Sequence, residues 1–227
     1  MTRANLDRKI KNMLNEIMII DSMVESATLG AIQALKNRDL DAARTIYQAD
    51  APINARRFAL EKECMVTIAT EQPIMAGDLR VVASILEVVN ELERMGDYAK
   101  GIARVCLRIG DQEHIKPVID LPLMAEVAVD MLHRAVAAFV AQDSEQARLI
   151  PAEDTRVDDY YQRIYADLIA IITQEPAAAY QANLLMWAAH NLERMADRVT
   201  NICERTIYIT TGEMIEIDAT DDEDLSL

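Results

Sequence analysis

The hexapeptide Leu92-Glu93-Arg94-Met95-Gly96-Asp97 returns as Leu192-Glu193-Arg194-Met195-Ala196-Asp197, one hundred positions later in a chain of 227 residues. A repeat at that spacing calls for two copies of one supersecondary unit, which constrains the fold more than any other feature of the chain. The likeness extends beyond the hexapeptide. Asp39-x-x-x-Ala43-Arg44-x-Ile46-x-x-x-Asp50 matches Asp143-x-x-x-Ala147-Arg148-x-Ile150-x-x-x-Asp154, here offset by 104. The four-residue difference falls in the Gln72 to Arg80 connection, whose counterpart after Pro176 is shorter. Length changes confined to a connection, with both flanking segments intact, are what a duplicated unit shows.

Each unit reads as three helices. Apolar residues recur at helical spacing, as in Ile10, Met13, Leu14, Ile17, Met18, Met23, Val24 and Ala27 of the first segment. The periodicity predicts helices over about residues 5–36, 40–70, 75–109, 122–142, 143–174 and 177–211, with Pro52 tolerated inside the second. The polar, proline-bracketed stretch from Gly110 to Pro122 marks the boundary between halves, and Gly212 ends the last helix. The predicted fold is therefore all-α: two tandem, pseudo-symmetric antiparallel three-helix bundles over residues 1–112 and 113–212. Residues 213–227, ending in the run Asp221-Asp222-Glu223-Asp224, read as an acidic, disordered tail.

Charge narrows the function. The chain carries a formal −15 at pH 7 and no dense cluster of Lys and Arg, which disfavours nucleic acid and an anionic membrane surface as ligands. Cations and basic protein surfaces are the natural partners. Cys64, Cys106 and Cys203 are odd in number, far apart and outside any C-x-x-C spacing, which predicts reduced, structural thiols in a cytoplasmic protein. The polar N-terminus does not resemble a signal peptide, and the longest apolar runs, such as Ile17 to Ile20, are too short to span a bilayer. No membrane insertion is expected.

The chemistry-bearing pattern is acidic. Glu93/Asp97 and Glu193/Asp197 stand at i, i+4, which puts each pair of carboxylates on one helix face, one turn apart. Like charges so placed cost about 0.2–0.5 kcal/mol per pair, and the cost is incurred twice. The middle helix of each unit adds a second pair, Asp50/Asn54 in the first half and Asp154/Asp158 in the second. If the paired helices lie side by side, each half assembles four oxygen donors, a plausible cage for a divalent or trivalent metal ion. Salt-bridged helix faces, with Arg94 and Arg194 pairing to Asp97 and Asp197, are the plain alternative for a single E-x-x-x-D. The halves are not equal. Asn54 is neutral, and Gly101 stands where the second half has Asn201, so the second site is expected to bind more tightly. His114, His133 and His190 are the only histidines, and none follows a Glu by three positions, which disfavours a ferritin-type di-iron centre. Asp130-x-x-His133 has no mate. No phosphate-cradling glycine loop, nucleophile elbow or triad spacing is present, so no catalysis is expected.

These residues resemble the PhoU family of phosphate-transport regulatory proteins. The resemblance rests on the two hexapeptides, on Asn191 and Asn201-Ile202 around the second, on Gln72-Pro73 followed by Asp78-Leu79-Arg80, and on the acidic pairs at Asp50 and Asp154. It covers about residues 5–212. It implies two PhoU-type bundles, a homodimer, and a cytoplasmic negative regulator of phosphate uptake and phosphate-starvation signalling. The implied partners are a phosphate ABC transporter, through its ATPase, and a phosphate-sensing histidine kinase. It also implies iron or zinc clusters on the acidic faces of some members, which by position would use Asp50, Glu93, Asp97, Asp154, Asp158, Glu193 and Asp197. Two other readings stand beside it: a carboxylate-rich metalloenzyme, and a purely structural helical scaffold.

Overall fold

A computed structural model of the chain describes residues 3–217, and among these every regular element is helical. The α-helices are α1 (Arg3–Asn37), α2 (Leu40–Thr70), α3 (Ala76–Ile109), α4 (Asp120–Ala141), α5 (Ser144–Leu149), α6 (Asp154–Gln174) and α7 (Ala179–Thr211). Helices α1, α2 and α3 pack together as one antiparallel bundle, and α4 to α7 as its repeat. The bundles share one continuous hydrophobic core, because α3 packs on α7 and α1 on α4. Helices α2 and α6 are thereby left on the two outer flanks.

The repeated sequence has a local cause in each corner. Asp39 caps α2 by accepting from the Asp41 and Ala42 amides, and Asp143 caps α5 by accepting from the Glu145 and Gln146 amides. The residues just before them, Arg38 and Gln142, both adopt positive φ (59° and 54°). The Asp39 and Asp143 amides then donate back to Ala34 and Ala138 at 2.9 and 2.8 Å. One sequence-specified corner is thus used twice.

Proline corrects two predicted boundaries. The predicted helix over 143–174 is broken, because Pro151 lies in a one-turn 3-10 segment, Ile150–Glu153, between α5 and α6. Pro lacks the amide an α-helix needs at that point. Pro122 does not delay α4, which starts at Asp120, because its ring sits in the first turn where that amide has no helical partner. Pro52 lies within a continuous α2.

The helix pairs that carry the acidic residues are spaced by a volume exchange. A Cβ added to Gly96 on α3 would lie 3.3 Å from Ile53 Cδ1 on α2. In the second half the same two positions hold Ala196 and Val157, both buried. One methyl gained on one helix is balanced by one carbon lost from the other, the kind of swap a packed core tolerates.

The connection between halves is fastened at both ends. His114 Nε2 lies 2.8 Å from the Leu35 carbonyl oxygen, and Gln181 on α7 accepts from the Ile115 amide and donates to the Glu113 carbonyl. Residues 213–217 return along the bundle: Ile215 and Ile217 pack against the core, and the Ile217 amide donates to Glu204 Oε1. The remainder of the predicted tail, including the run from Asp221 to Asp224, lies outside the described residues. Cys64, Cys106 and Cys203 are buried free thiols, and burial pushes them up to about 12, 11 and 12 respectively. Helix α1 is long and apolar enough, by length and composition, to cross a bilayer, which the short apolar runs did not lead one to expect. A core helix meets the same test, and the buried face of α1, including Met13, Ile17, Ile20 and Val24, is taken up by neighbouring helices.

Candidate metal centres on the two flanks

In the first half, α2 and α3 bring the predicted residues together. Asp50 is buried. Its Oδ2 accepts from the Asn54 amide at 3.0 Å and from Lys100 Nζ at 2.7 Å. Lys100 also lies 3.9 Å from Asp97 Oδ1. Burial raises the Asp97 carboxyl above its ordinary value, and the nearby Asp50 charge raises it further. Glu93 is raised by burial and by Asp97, while Arg57 on α2 opposes the shift. Arg57 itself is held by Asn90 Oδ1 at 2.7 Å and Glu61 Oε1 at 3.1 Å. The first acidic cluster therefore contains its own cations. The Lys100 ammonium stands where a metal ion would have to neutralise Asp50 and Asp97.

The second half repeats the acids with other residues at the positions of Lys100 and Arg57. The position of Lys100 is held by Thr200, that of Arg57 by Tyr161, and that of Asn54 by Asp158. Burial raises the Glu193 carboxyl, Asp197 and Asp158 raise it further, and His190 and Arg194 oppose the shift. Asp158 on α6 and Asp197 on α7 thus both act on Glu193. Asp154 is half-buried one turn before Asp158 on the same face of α6. Glu193 Oε2 is buried and receives no hydrogen bond, although His190 Nδ1 lies within ion-pairing distance at 3.1 Å. Arg194 Nη1 lies 3.3 Å from Asp197 Oδ2. Tyr161 and His190, with ring centroids 6.4 Å apart, stand at the edge of the cluster. The Glu193 charge, after burial, also raises the Tyr161 hydroxyl.

A hard-cation centre therefore fits the second flank better than the first. It would meet Glu193, whose buried Oε2 receives no hydrogen bond, with Asp158 and Asp197 acting on it, although Asp50 Oδ1 on the first flank is likewise buried without a hydrogen bond. On the first flank it would have to displace Lys100. The sequence reading identified the acids but missed the cations. Aligning Lys100 with Thr200 and Arg57 with Tyr161 through the repeat is the signal that finds them.

Gly101 also lies at a close approach between α3 and α7. A Cβ there would lie 3.2 Å from Asn191 Nδ2 of α7, so a larger residue would need the Asn191 side chain to shift. Asn201 occupies the equivalent register on α7, one turn beyond Asp197, and is half-buried. The same seam carries a cross-repeat pairing. Arg198 donates to the hydroxyl of Tyr98, its own counterpart in the first repeat, at 2.8 Å, and to Glu91 Oε2 at 2.7 Å.

Comparison with known proteins agrees with this duplicated architecture. The PhoU domain family profile matches residues 17–106 and 121–206. The phosphate-specific transport system accessory protein PhoU of Edwardsiella tarda is 32% identical over 212 residues, spanning 93% of this chain and 87% of that protein. Its Escherichia coli (strain K12) namesake is 31% identical over 221 residues, spanning 94% and 91%. Among solved structures, the phosphate transport system regulatory protein PhoU from Streptococcus pneumoniae superposes with a TM-score of 0.85 at 27% identity, over 93% of this chain and all of that one. PhoU from Pseudomonas aeruginosa also gives 0.85 at 27% identity, over 91% and 99%.

Proposed function

This chain belongs to the PhoU family, and from that membership we propose that it is a cytoplasmic, non-catalytic regulator of a phosphate transport system. It restrains phosphate uptake and phosphate-starvation signalling as a metal-binding adaptor between the ATPase of a phosphate ABC transporter and a phosphate-sensing histidine kinase. The names of its relatives support the transport-system role. The adaptor role is supported by a surface that offers charge and apolar area. Phe58, Met65 and Val66 on the outer helix α2 are all exposed, and such residues are available for a partner or for a second copy in a homodimer.

The observation that carries the metal-binding part is the asymmetry between flanks. Asp154, Asp158, Glu193 and Asp197 would hold the ion, while Asp50, Asn54, Glu93 and Asp97 are compensated by Lys100 and Arg57. Asn201, one turn beyond Asp197 on α7, would add a neutral oxygen donor. A bound iron or zinc ion would supply positive charge to the second flank and pull α6 and α7 onto one face geometry. A regulator can shift a partner only by preferring one of its states. We assign that preference to the phosphate-replete, repressing output of the kinase. Deleting the gene is expected to derepress phosphate-starvation genes in rich phosphate. Unchanged expression would overturn the regulatory assignment.

A further inference from the structure

We propose that Asp21, Glu25 and His133 form a divalent transition-metal site that bridges the two repeats. Asp21 and Glu25 lie one turn apart on α1, and His133 comes from α4, across the junction between the halves. One donor atom from each side chain lies within 4.8 Å of the other two. His133 Nδ1 is 3.0 Å from Glu25 Oε1. Asp21 is only 6% exposed, and its Oδ1 is buried without a hydrogen-bond partner.

An ordinary helix-to-helix ion pair accounts for only two of these three residues. Glu25 and His133 pair with each other, and Asp21 meets Glu25 through a carboxyl–carboxyl hydrogen bond, but the buried Asp21 Oδ1 has no partner. A carboxylate oxygen buried without a partner is costly. A cation held by all three side chains removes that cost and uses both carboxylates. The donor set is two carboxylate oxygens and one imidazole nitrogen, which suits zinc-type divalent ions better than calcium or magnesium. The exposed side of His133 leaves room for water to complete the coordination shell. This site is separate from the all-oxygen α6–α7 cluster, and it solves the apparent isolation of His133, whose partners come from another helix. Because its ligands belong to different repeats, an ion there ties the first bundle to the second.

The test uses full-length protein stripped with a chelator and titrated with Co2+, whose spectrum reports nitrogen ligation. The background is Glu193→Gln/Asp197→Asn, which removes the α6–α7 cluster together with any ligation through His190. In that background the site is expected to retain Co2+, show a paramagnetically shifted imidazole signal and gain thermal stability on binding. Adding His133→Ala or, separately, Glu25→Gln is expected to remove the bound equivalent, with the imidazole signal lost in His133→Ala. Both positions are far enough from the core for the variants to fold, which circular dichroism checks. Equal Co2+ binding and equal spectra with and without those substitutions would overturn the proposal.

Discussion

Lys100 Nζ lies 2.7 Å from Asp50 Oδ2, and in the second repeat Thr200 stands in the place of the lysine. That ammonium group, with Arg57 in place of Tyr161 and Asn54 in place of Asp158, divides two clusters built on the same repeated acids. Asp50 is buried and Lys100 is only a quarter exposed, so the pair is shielded enough for its loss to matter.

Replacing Lys100 by Thr, alone or with Arg57→Tyr and Asn54→Asp, converts the first flank into the second. Without metal, Lys100→Thr is expected to destabilise the protein by about 3 kcal/mol, the low end of the range for breaking a buried ion pair. Added metal is expected to restore most of that loss and to raise the bound stoichiometry. Thermal melts with and without chelator check both. A variant equally unstable in both conditions would mean that the first flank cannot be opened to a cation.

The seam between repeats predicts a second result. Arg198 serves both Tyr98 and Glu91, so Arg198→Ala leaves a half-buried carboxylate without its partner. The expected cost is about 1.5–3 kcal/mol, the usual scale for a hydrogen bond to a charged group. Because the two bundles share one core, calorimetry is expected to show one unfolding transition in both the wild type and the variant. Two separated transitions would contradict the shared core.

The spacing of the acid-bearing helices can be tested by exchanging methyl groups. Gly96→Ala places a Cβ against Ile53 and is expected to cost about 1 kcal/mol through overpacking, at the lower end of the usual range. Ile53→Val in the same chain reproduces the Ala196/Val157 arrangement and should recover most of the loss. Strict additivity of the two substitutions, in a double-mutant cycle by denaturant melts, would show that they do not share a contact.

Asp21 gives a pH dependence in chelator-treated protein. Burial, followed by the Glu25 charge, pushes its carboxyl from the ordinary 3.8 up to about 8. The folded state then holds a proton that the unfolded state has lost, throughout the interval between those values. Stability contributed by Asp21 is fully present below the lower value and declines as pH rises toward the upper one. Asp21→Asn removes this titration, so its melting temperature should fall less between pH 5 and pH 8 than that of the wild type. Parallel profiles would contradict the assignment.

Much of the fold was legible because the physics is local and repeated. Apolar spacing located α2 over its whole observed length, and the Asp39 and Asp143 caps lay inside the matched segments. The break at Pro151 was missed because the apolar spacing continues across it, and periodicity does not report a missing amide. At the candidate sites the acids were legible from their i, i+4 spacing, but their counter-charges were not. Lys100 reaches Asp50 from a neighbouring helix, and Asp21 meets His133 across the repeat junction. Such contacts depend on tertiary packing, which spacing along the chain does not encode.

In the proposed function the second flank holds metal and the first holds its own lysine. The most direct test is elemental mass spectrometry of purified full-length protein, reconstituted with iron or zinc. Wild type would be compared with Glu193→Gln/Asp197→Asn and with Glu93→Gln/Asp97→Asn. The account predicts that metal content falls in the second-flank variant and stays at the wild-type level in the first-flank variant. An equal fall in both variants, or no fall in either, would contradict it.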